Sequence, residues 1–124
     1  MLAAQNAGKG KVQAVFCPNE STTFGMLLAL DKVGLAGRLR FIGFDSSVKL
    51  VEAVRLGKLD GLVLQNPFNM GYLAVKTLAL HLNKQKVEAR IDTGASFIDK
   101  ANMDQPEMKA LLSPPLAQWL GSAE

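Results

Sequence analysis

The chain contains little of the side-chain chemistry on which most active sites depend. Cys17 and His81 are the only cysteine and the only histidine among its 124 residues. One cysteine forms no internal disulfide, and no histidine lies near it in the sequence to activate the thiol. Ser-His-Asp or Cys-His arrangements, metal-ligand spacings and a glycine-rich phosphate loop are absent as well. We therefore expect no enzyme, no catalytic residue, no metal site and no cofactor.

Long apolar runs and blocks of one charge are also missing. No run approaches the ~20 residues of a membrane-spanning helix, and residues 1–10 lack the basic flank and apolar stretch of a signal peptide. We expect either a cytoplasmic chain or one whose leader has been left out. The 14 basic and 11 acidic residues give a net charge of +3, and the basic ones are scattered. This pattern argues against a nucleic-acid partner.

What remains is the composition of a folded domain. Hydrophobic residues make up 48% of the sequence and charged residues 20%, which is typical of a globular protein rather than a disordered one. A chain of 124 residues supplies the material for one ordinary core.

The most informative stretch is RFIGFDSS, residues 40–47. Its apolar run predicts a strand that is covered on both faces, as in a parallel sheet between helices. The run ends at Asp45, and the two serines that follow can cap a helix. A carboxylate in this position is expected at the carboxyl edge of the sheet, where open α/β folds bind their ligands.

The same arrangement occurs twice more. A strand over residues 12–18 ends at Asn19, and a strand over residues 61–64 ends at Gln65, each before a helix-like segment. Because parallel strands end at the same edge of a sheet, we expect Asn19, Asp45 and Gln65 on one rim. The sequence therefore predicts a polar binding site there.

The segments between these strands have the periodicity of helices. Apolar spacing predicts helices over residues 22–33 and 48–56 and from Pro67 to Leu82. Strands that alternate with helices through short connections predict a three-layer, doubly wound parallel α/β sheet. Residues 90–98 add a looser strand. A narrow sheet leaves the strand at residues 12–16 as an exposed edge, through which we expect association, including a homo-oligomer.

The sequence pattern at both ends of the chain differs from the strand–helix alternation of its middle. We expect residues 1–98 to form the main body and residues 99–124 a tail with short helices. In the tail, Asp104 and Glu107 flank a proline in the manner of a capping box, and Trp119 is expected to dock against the body. Residues 1–5 have the pattern of the last turn of a helix, which suggests a fragment.

Taken together, several motifs resemble one family. They are VFCPNE at residues 15–20, FIGFD at 41–45, GKL at 57–59 and QNP at 65–67. Their order and spacing resemble the carboxy-terminal lobe of periplasmic sugar-binding proteins of the ribose-binding type, over most of residues 1–98. The resemblance implies a partial lobe of a type I periplasmic-binding-protein fold.

Members of that family close two lobes on one sugar and deliver it to an ABC transporter. The resemblance implies that Asn19, Asp45 and Gln65 hydrogen-bond a monosaccharide or related polyol, with Phe44 against the ring; amides, a carboxylate and an aromatic face suit such a ligand. It also implies an ABC transporter permease as partner, a missing amino-terminal lobe and a periplasmic parent protein. Glu20 departs mildly from the aspartate usual in the family, and Pro18 stiffens the turn before Asn19.

Several alternatives remain open at this point. Asn19 and Asp45 could each be a helix cap, and Phe44 could simply pack under the end of its strand. The effector-binding core of a lactose-repressor-like transcription regulator shares this fold, although residues 34–39 lack the proline-containing turn usual there. A response-regulator-like domain is a further option, but its amino-terminal acidic cluster has no counterpart.

Overall fold

The computed structural model describes residues 12–114 of the chain. Within this range, strands and helices alternate from beginning to end. They are β1 (Ala14–Phe16), α1 (Glu20–Lys32), β2 (Arg40–Phe44), α2 (Val48–Arg55), β3 (Gly61–Leu64), α3 (Pro67–Leu82), β4 (Ser96–Asp99) and α4 (Pro106–Leu112). The helical turn predicted for residues 1–5 and the predicted docking of Trp119 lie outside the described residues.

The strands form one sheet in the order β1-β2-β3-β4. The pairs β1–β2 and β2–β3 are parallel, with Val15 opposite Phe41 and Gly43 opposite Leu62. The parallel α/β sheet predicted from the sequence is thereby confirmed. Only the end of the looser strand predicted at residues 90–98 is extended, as β4. In the described part of the chain, β1 is an edge strand.

The core lies between the strands and the helices α1 and α2. Phe41 of β2 and Leu62 of β3 have no exposed surface, and α2 buries Leu50, Ala53 and Val54 against them. Val48, the first residue of α2, is by contrast 86% exposed. Residues 50, 53 and 54 have the i, i+3, i+4 spacing of one helix face, and the first residue of the helix falls outside it.

Two helix starts differ from those expected. Helix α1 begins at Glu20 rather than at residue 22, with Asn19 as its N-cap, and Gln105 rather than Asp104 is the N-cap of α4. Asp104 instead binds Arg55 through two contacts of 3.3 Å. A guanidinium offers a carboxylate a bidentate partner, which the exposed start of a short helix does not. The predicted capping box is therefore absent.

The amino ends of β2 and β3 are fastened together by one carboxylate. Asp60 accepts hydrogen bonds from the Phe41 amide at 2.7 Å and from Arg40 Nη1 at 2.8 Å. This contact fixes the sheet at the edge opposite the predicted site. At the opposite, carboxyl edge, each of the strands β1, β2 and β3 is followed by a short loop and a helix.

The chain divides into two compact units. Among the described residues, one contains residues 12–64 and 97–114, and the other is Gln65–Ser96. The boundary predicted between residues 98 and 99 is a different division and stays a prediction. In the second unit, α3 buries none of its residues despite their apolar character. No helix among residues 12–114 is long and apolar enough to cross a membrane.

Candidate functional site

An open depression of about 800 Å³ lies where β1 and β2 give way to α1 and α2. Two loops border it: the first loop, residues 17–19, and the second loop, residues 45–47. Both Asn19 and Asp45 line it, so the structure brings together two of the residues predicted to share a rim. The lining residues are Asn19, Glu20, Ser21, Phe24, Asp45, Ser47, Val48 and Lys49.

Asn19 uses one half of its amide to cap α1. Its Oδ1 accepts hydrogen bonds from the Thr22 amide and from the hydroxyls of Ser21 and Thr22, all at 2.9 Å. The capping interpretation is therefore correct for this oxygen. Among the described residues, Nδ2 has no hydrogen-bond partner, and the side chain is exposed. The cap thus leaves a two-proton donor available to a ligand.

Asp45 is held in a different way. Its backbone has a φ of +64°, a left-handed conformation in which only a small fraction of non-glycine residues is found. The amide donates to the Val63 carbonyl of β3 at 2.9 Å. Its half-buried carboxylate receives no hydrogen bond or ion pair from any residue between 12 and 114. Ser47, not Asp45, is the N-cap of α2, so the capping alternative was wrong for Asp45.

The first turn of α2 also lacks side-chain hydrogen-bond acceptors among the described residues. The Ser47 side chain makes no capping hydrogen bond, and the first turn contains no acidic residue. The first amide groups of this helix therefore have no side-chain acceptor within the described chain, and such groups require water or a ligand. The second loop is consequently the more open side of the depression.

The aromatic surface in the depression belongs to Phe24 of α1, which was not among the residues predicted for the site. Lys49 Nζ lies 5.3 Å from the centroid of its ring, within the range of a cation–π contact. Phe24 lies one turn after Glu20, so that both residues reach the depression from the same face of α1. The depression therefore combines an apolar ring, amide and hydroxyl groups, and charges of both signs.

The other two predicted residues have separate surroundings. Phe44 is half-buried at the end of β2, and the residues that line the depression do not include it. Gln65 is exposed, directly follows β3 and is the first residue of the second unit. Ligand contacts for Phe44 and Gln65 stay predictions.

The remaining reactive group near the depression is the Cys17 thiol in the first loop. It is buried, and this burial raises its pKa; a hydrogen bond with the Thr22 side chain acts in the opposite, lowering direction. A thiol with a raised pKa is a poor nucleophile near neutral pH. Within residues 12–114, no three His, Cys, Asp or Glu side chains are grouped so that they could hold a metal ion.

Known proteins resemble the chain over most of its length. A family model described as periplasmic binding protein domain matches residues 1–86. The ribose import binding protein RbsB of Haemophilus influenzae is 34% identical over 94 residues, which cover 76% of this chain and 32% of that protein. The chain thus spans about a third of the length of this curated relative.

Two solved structures share the fold. An ABC transporter solute binding protein from Agrobacterium vitis with bound D-fucose has a TM-score of 0.80 and 41% identity, covering 90% of this chain and 37% of that one. A carbohydrate transporter solute binding protein from Agrobacterium radiobacter in complex with D-arabinose has a TM-score of 0.79 and 35% identity, covering 90% and 38%. The predicted doubly wound fold is confirmed as part of a type I periplasmic-binding-protein fold, and the chain belongs to the periplasmic binding protein domain family.

Proposed function

We propose that this chain supplies part of a sugar-binding cleft in a solute-binding protein that delivers a monosaccharide to an ABC importer. The observation that carries the proposal is the joint placement of Asn19 and Asp45 on one open depression at the carboxyl ends of adjacent parallel strands. Open α/β sheets bind small ligands at this edge. The relatives of the chain bear the names of sugar-binding transport proteins.

The hydrogen-bonding groups suit a polyol. Asn19 contributes donors, because its oxygen is already occupied by the α1 cap. Asp45 contributes acceptors, because its carboxylate has no partner in the described chain. A sugar hydroxyl donates and accepts at once, so a neighbouring pair of hydroxyls can satisfy both residues. The Phe24 ring adds the apolar surface on which the C–H face of a sugar packs.

Phe44 and Gln65 complete the proposed ligand set. Phe44 directly precedes Asp45, and Gln65 follows the next strand in the sheet. A second amide would add a hydrogen-bond donor and acceptor for the ligand, and the Phe44 ring would lie against the pyranose or furanose. Import is preferred to gene regulation because the relatives described above are import and solute-binding proteins. The proposed location is the periplasm and the proposed partner is a transporter permease.

A second lobe is the proposed source of the rest of the cleft. The curated relative is about three times as long as the matched segment, and the exposed apolar side chains of α3 offer a contact surface for the additional chain. Tyr72, Val75 and Leu82 are 57%, 70% and 71% exposed, and their separations of three and seven residues place them on one helix face. A helix with such a face is normally covered by another structured element.

The free edge of β1 supports a separate proposal of self-association. In the described sheet, β1 is bonded to β2 on one side only, and an unpaired strand edge can pair with a second copy. Sedimentation of the chain at increasing concentration tests it. A rising average mass is expected, and a constant monomer mass at high concentration contradicts the proposal.

The sugar site can be tested by nuclear magnetic resonance on the ¹⁵N-labelled 124-residue chain. D-Ribose, D-fucose, D-arabinose and D-allose are added in turn up to tens of millimolar, and mannitol serves as an acyclic polyol control. We expect saturable shifts of amides in the first and second loops with at least one aldose. Shifts that are absent, or that increase linearly without saturation for every sugar, contradict the proposal.

A further inference from the structure

One buried hydroxyl connects the two loops of the candidate site. Thr23 lies in the first turn of α1 and has no exposed surface. Its Oγ1 donates a hydrogen bond to the Asn19 carbonyl at 2.7 Å and accepts one from the Phe44 amide at 3.1 Å. It therefore binds the backbone of the residue that ends the first loop and of the residue immediately before Asp45.

This hydroxyl stands where the β1–β2 ladder would otherwise continue. The Cys17 amide donates to the Ile42 carbonyl at 3.1 Å. In a regular parallel pair, the Cys17 carbonyl would next accept a hydrogen bond from the Phe44 amide. The Phe44 amide instead binds Thr23 Oγ1, which lies 3.5 Å from the Cys17 carbonyl oxygen. The Thr23 hydroxyl thus takes the place of the Cys17 carbonyl as acceptor for the Phe44 amide, at the point where β1 leaves the sheet and the depression begins.

The methyl group of Thr23 fits the same place sterically. It packs over Gly43, where an added Cβ would collide with the threonine Cγ2 and closely approach Leu62. Valine at position 23 keeps this shape and lacks the hydroxyl. Serine keeps the hydroxyl and lacks the methyl group. The two functions of the side chain can therefore be separated by substitution.

We propose that Thr23 is a positioning residue of the sugar site, which fixes the first and second loops relative to each other. This inference rests on the proposed function. Thr23 is buried and acts through the backbone of Asn19 and Phe44 rather than by contact with a ligand. Without its hydroxyl, the Phe44 amide loses its acceptor, and the separation between the Asn19 amide and the Asp45 carboxylate is no longer held.

The test compares Thr23→Val and Thr23→Ser with Thr77→Val, a control substitution at a half-buried threonine of α3. D-Ribose and D-fucose are titrated into each ¹⁵N-labelled full chain. We expect Thr23→Val to weaken sugar binding by about tenfold or more, Thr23→Ser to stay within about threefold of the parent, and the control to be unchanged. Equal affinity of Thr23→Val and the parent chain would overturn the proposal.

Hydrogen exchange separates this inference from the proposed function. If the unmodified chain binds no sugar, the proposed function fails, and Thr23 is then judged by the exchange rate of the Phe44 amide without ligand. Faster exchange by about tenfold or more in Thr23→Val, but not in Thr23→Ser, supports the coupling of the loops. Unchanged exchange in Thr23→Val overturns it. If the valine variant does not fold, Thr23→Ala and Thr23→Ser form the decisive pair, since both lack the methyl group and only one keeps the hydroxyl.

Discussion

The first and second loops occupy equivalent positions in the fold but differ in how many hydrogen bonds their polar side chains make within the protein. Each leads from a parallel strand into a helix on the border of one depression. In the first loop, Cys17 is buried and the Asn19 oxygen accepts three donors. In the second loop, the Ser47 hydroxyl makes no cap bond, and the Asp45 carboxylate has no partner among the described residues.

This difference indicates which side chains stabilise the fold and which are available to bind a ligand. A residue that already satisfies the protein's own donors contributes to folding, and only its remaining groups are available to a ligand. A carboxylate without partners on a left-handed backbone contributes little to folding, so its presence is better explained by a ligand. Truncation of a capping side chain in the first loop should therefore affect stability and binding together, whereas substitutions in the second loop should affect binding alone.

The largest expected effect is that of Asp45→Asn on sugar affinity. Asparagine tolerates the left-handed backbone and keeps the size of the side chain, but it removes the charge and one acceptor. Because hydrogen bonds to charged groups contribute the most, we expect affinity for the preferred aldose to fall about a hundredfold. The amide-shift titration measures it.

The matched control for this change is Glu20→Gln, which removes an exposed carboxylate from the same depression. Its affinity is expected within about threefold of the parent chain, since long-range charge effects are weak at the surface. The free energy of unfolding of Asp45→Asn should change by less than about 0.5 kcal/mol. Parent-like sugar affinity in Asp45→Asn, or a large loss of stability, would mean that the second loop is not a binding loop.

An intermediate effect is expected at Asn19, where two substitutions divide its two roles. Asn19→Ala removes the cap and should lower the free energy of unfolding by about 1 kcal/mol. Asn19→Asp keeps an oxygen for the Thr22 amide and should retain nearly all of that stability, yet it replaces the Nδ2 donor with an acceptor. We therefore expect both variants to bind sugar about tenfold more weakly, although only the alanine variant is less stable. Denaturant unfolding and the sugar titration give the two values.

If Asn19→Asp binds sugar as tightly as the parent chain, the side-chain amide of Asn19 serves only to cap α1. If both variants lose the same amount of stability, the two roles have not been separated at this position. The sugar affinity of Asp45→Asn relative to the parent chain is then the remaining test of the candidate site.

The elements of the fold were largely predictable from the sequence because local signals agreed with one another. Pro67 marks the first residue of α3, and β2 and β3 begin and end as their apolar runs predict. The caps were less predictable, since Asn19 and Ser21 have similar capping preferences and only the backbone geometry chooses between them. At α4 a long-range partner for Asp104 overrode the local pattern.

The candidate site was predictable at strand ends and not within helices. Asp45 directly follows β2 and Asn19 lies three residues after the end of β1, and chain order alone places such residues at one edge of a parallel sheet. Phe24 and Lys49 reach the depression from helices, and whether a helical side chain faces a core or an opening depends on the rotation of the helix. Thr23 carries no signal in the sequence, because its role depends on where β1 leaves β2.

The smallest expected effect concerns Cys17, whose burial distinguishes the first loop from the second at high pH. Since the folded pKa of the thiol is raised above its ordinary value of 9.0, the thiol contributes stability that is fully present below about pH 9 and is lost as the pH rises through the folded pKa. The difference in unfolding free energy between the parent chain and Cys17→Ala should therefore shrink between about pH 7 and about pH 10, while the same comparison for Ser47→Ala in the second loop stays constant. Other titrating groups, including Lys and Tyr, are common to both members of each pair and cancel. Denaturant unfolding at the two pH values measures the change, and a Cys17 difference that is independent of pH would show that the thiol is not desolvated by the fold.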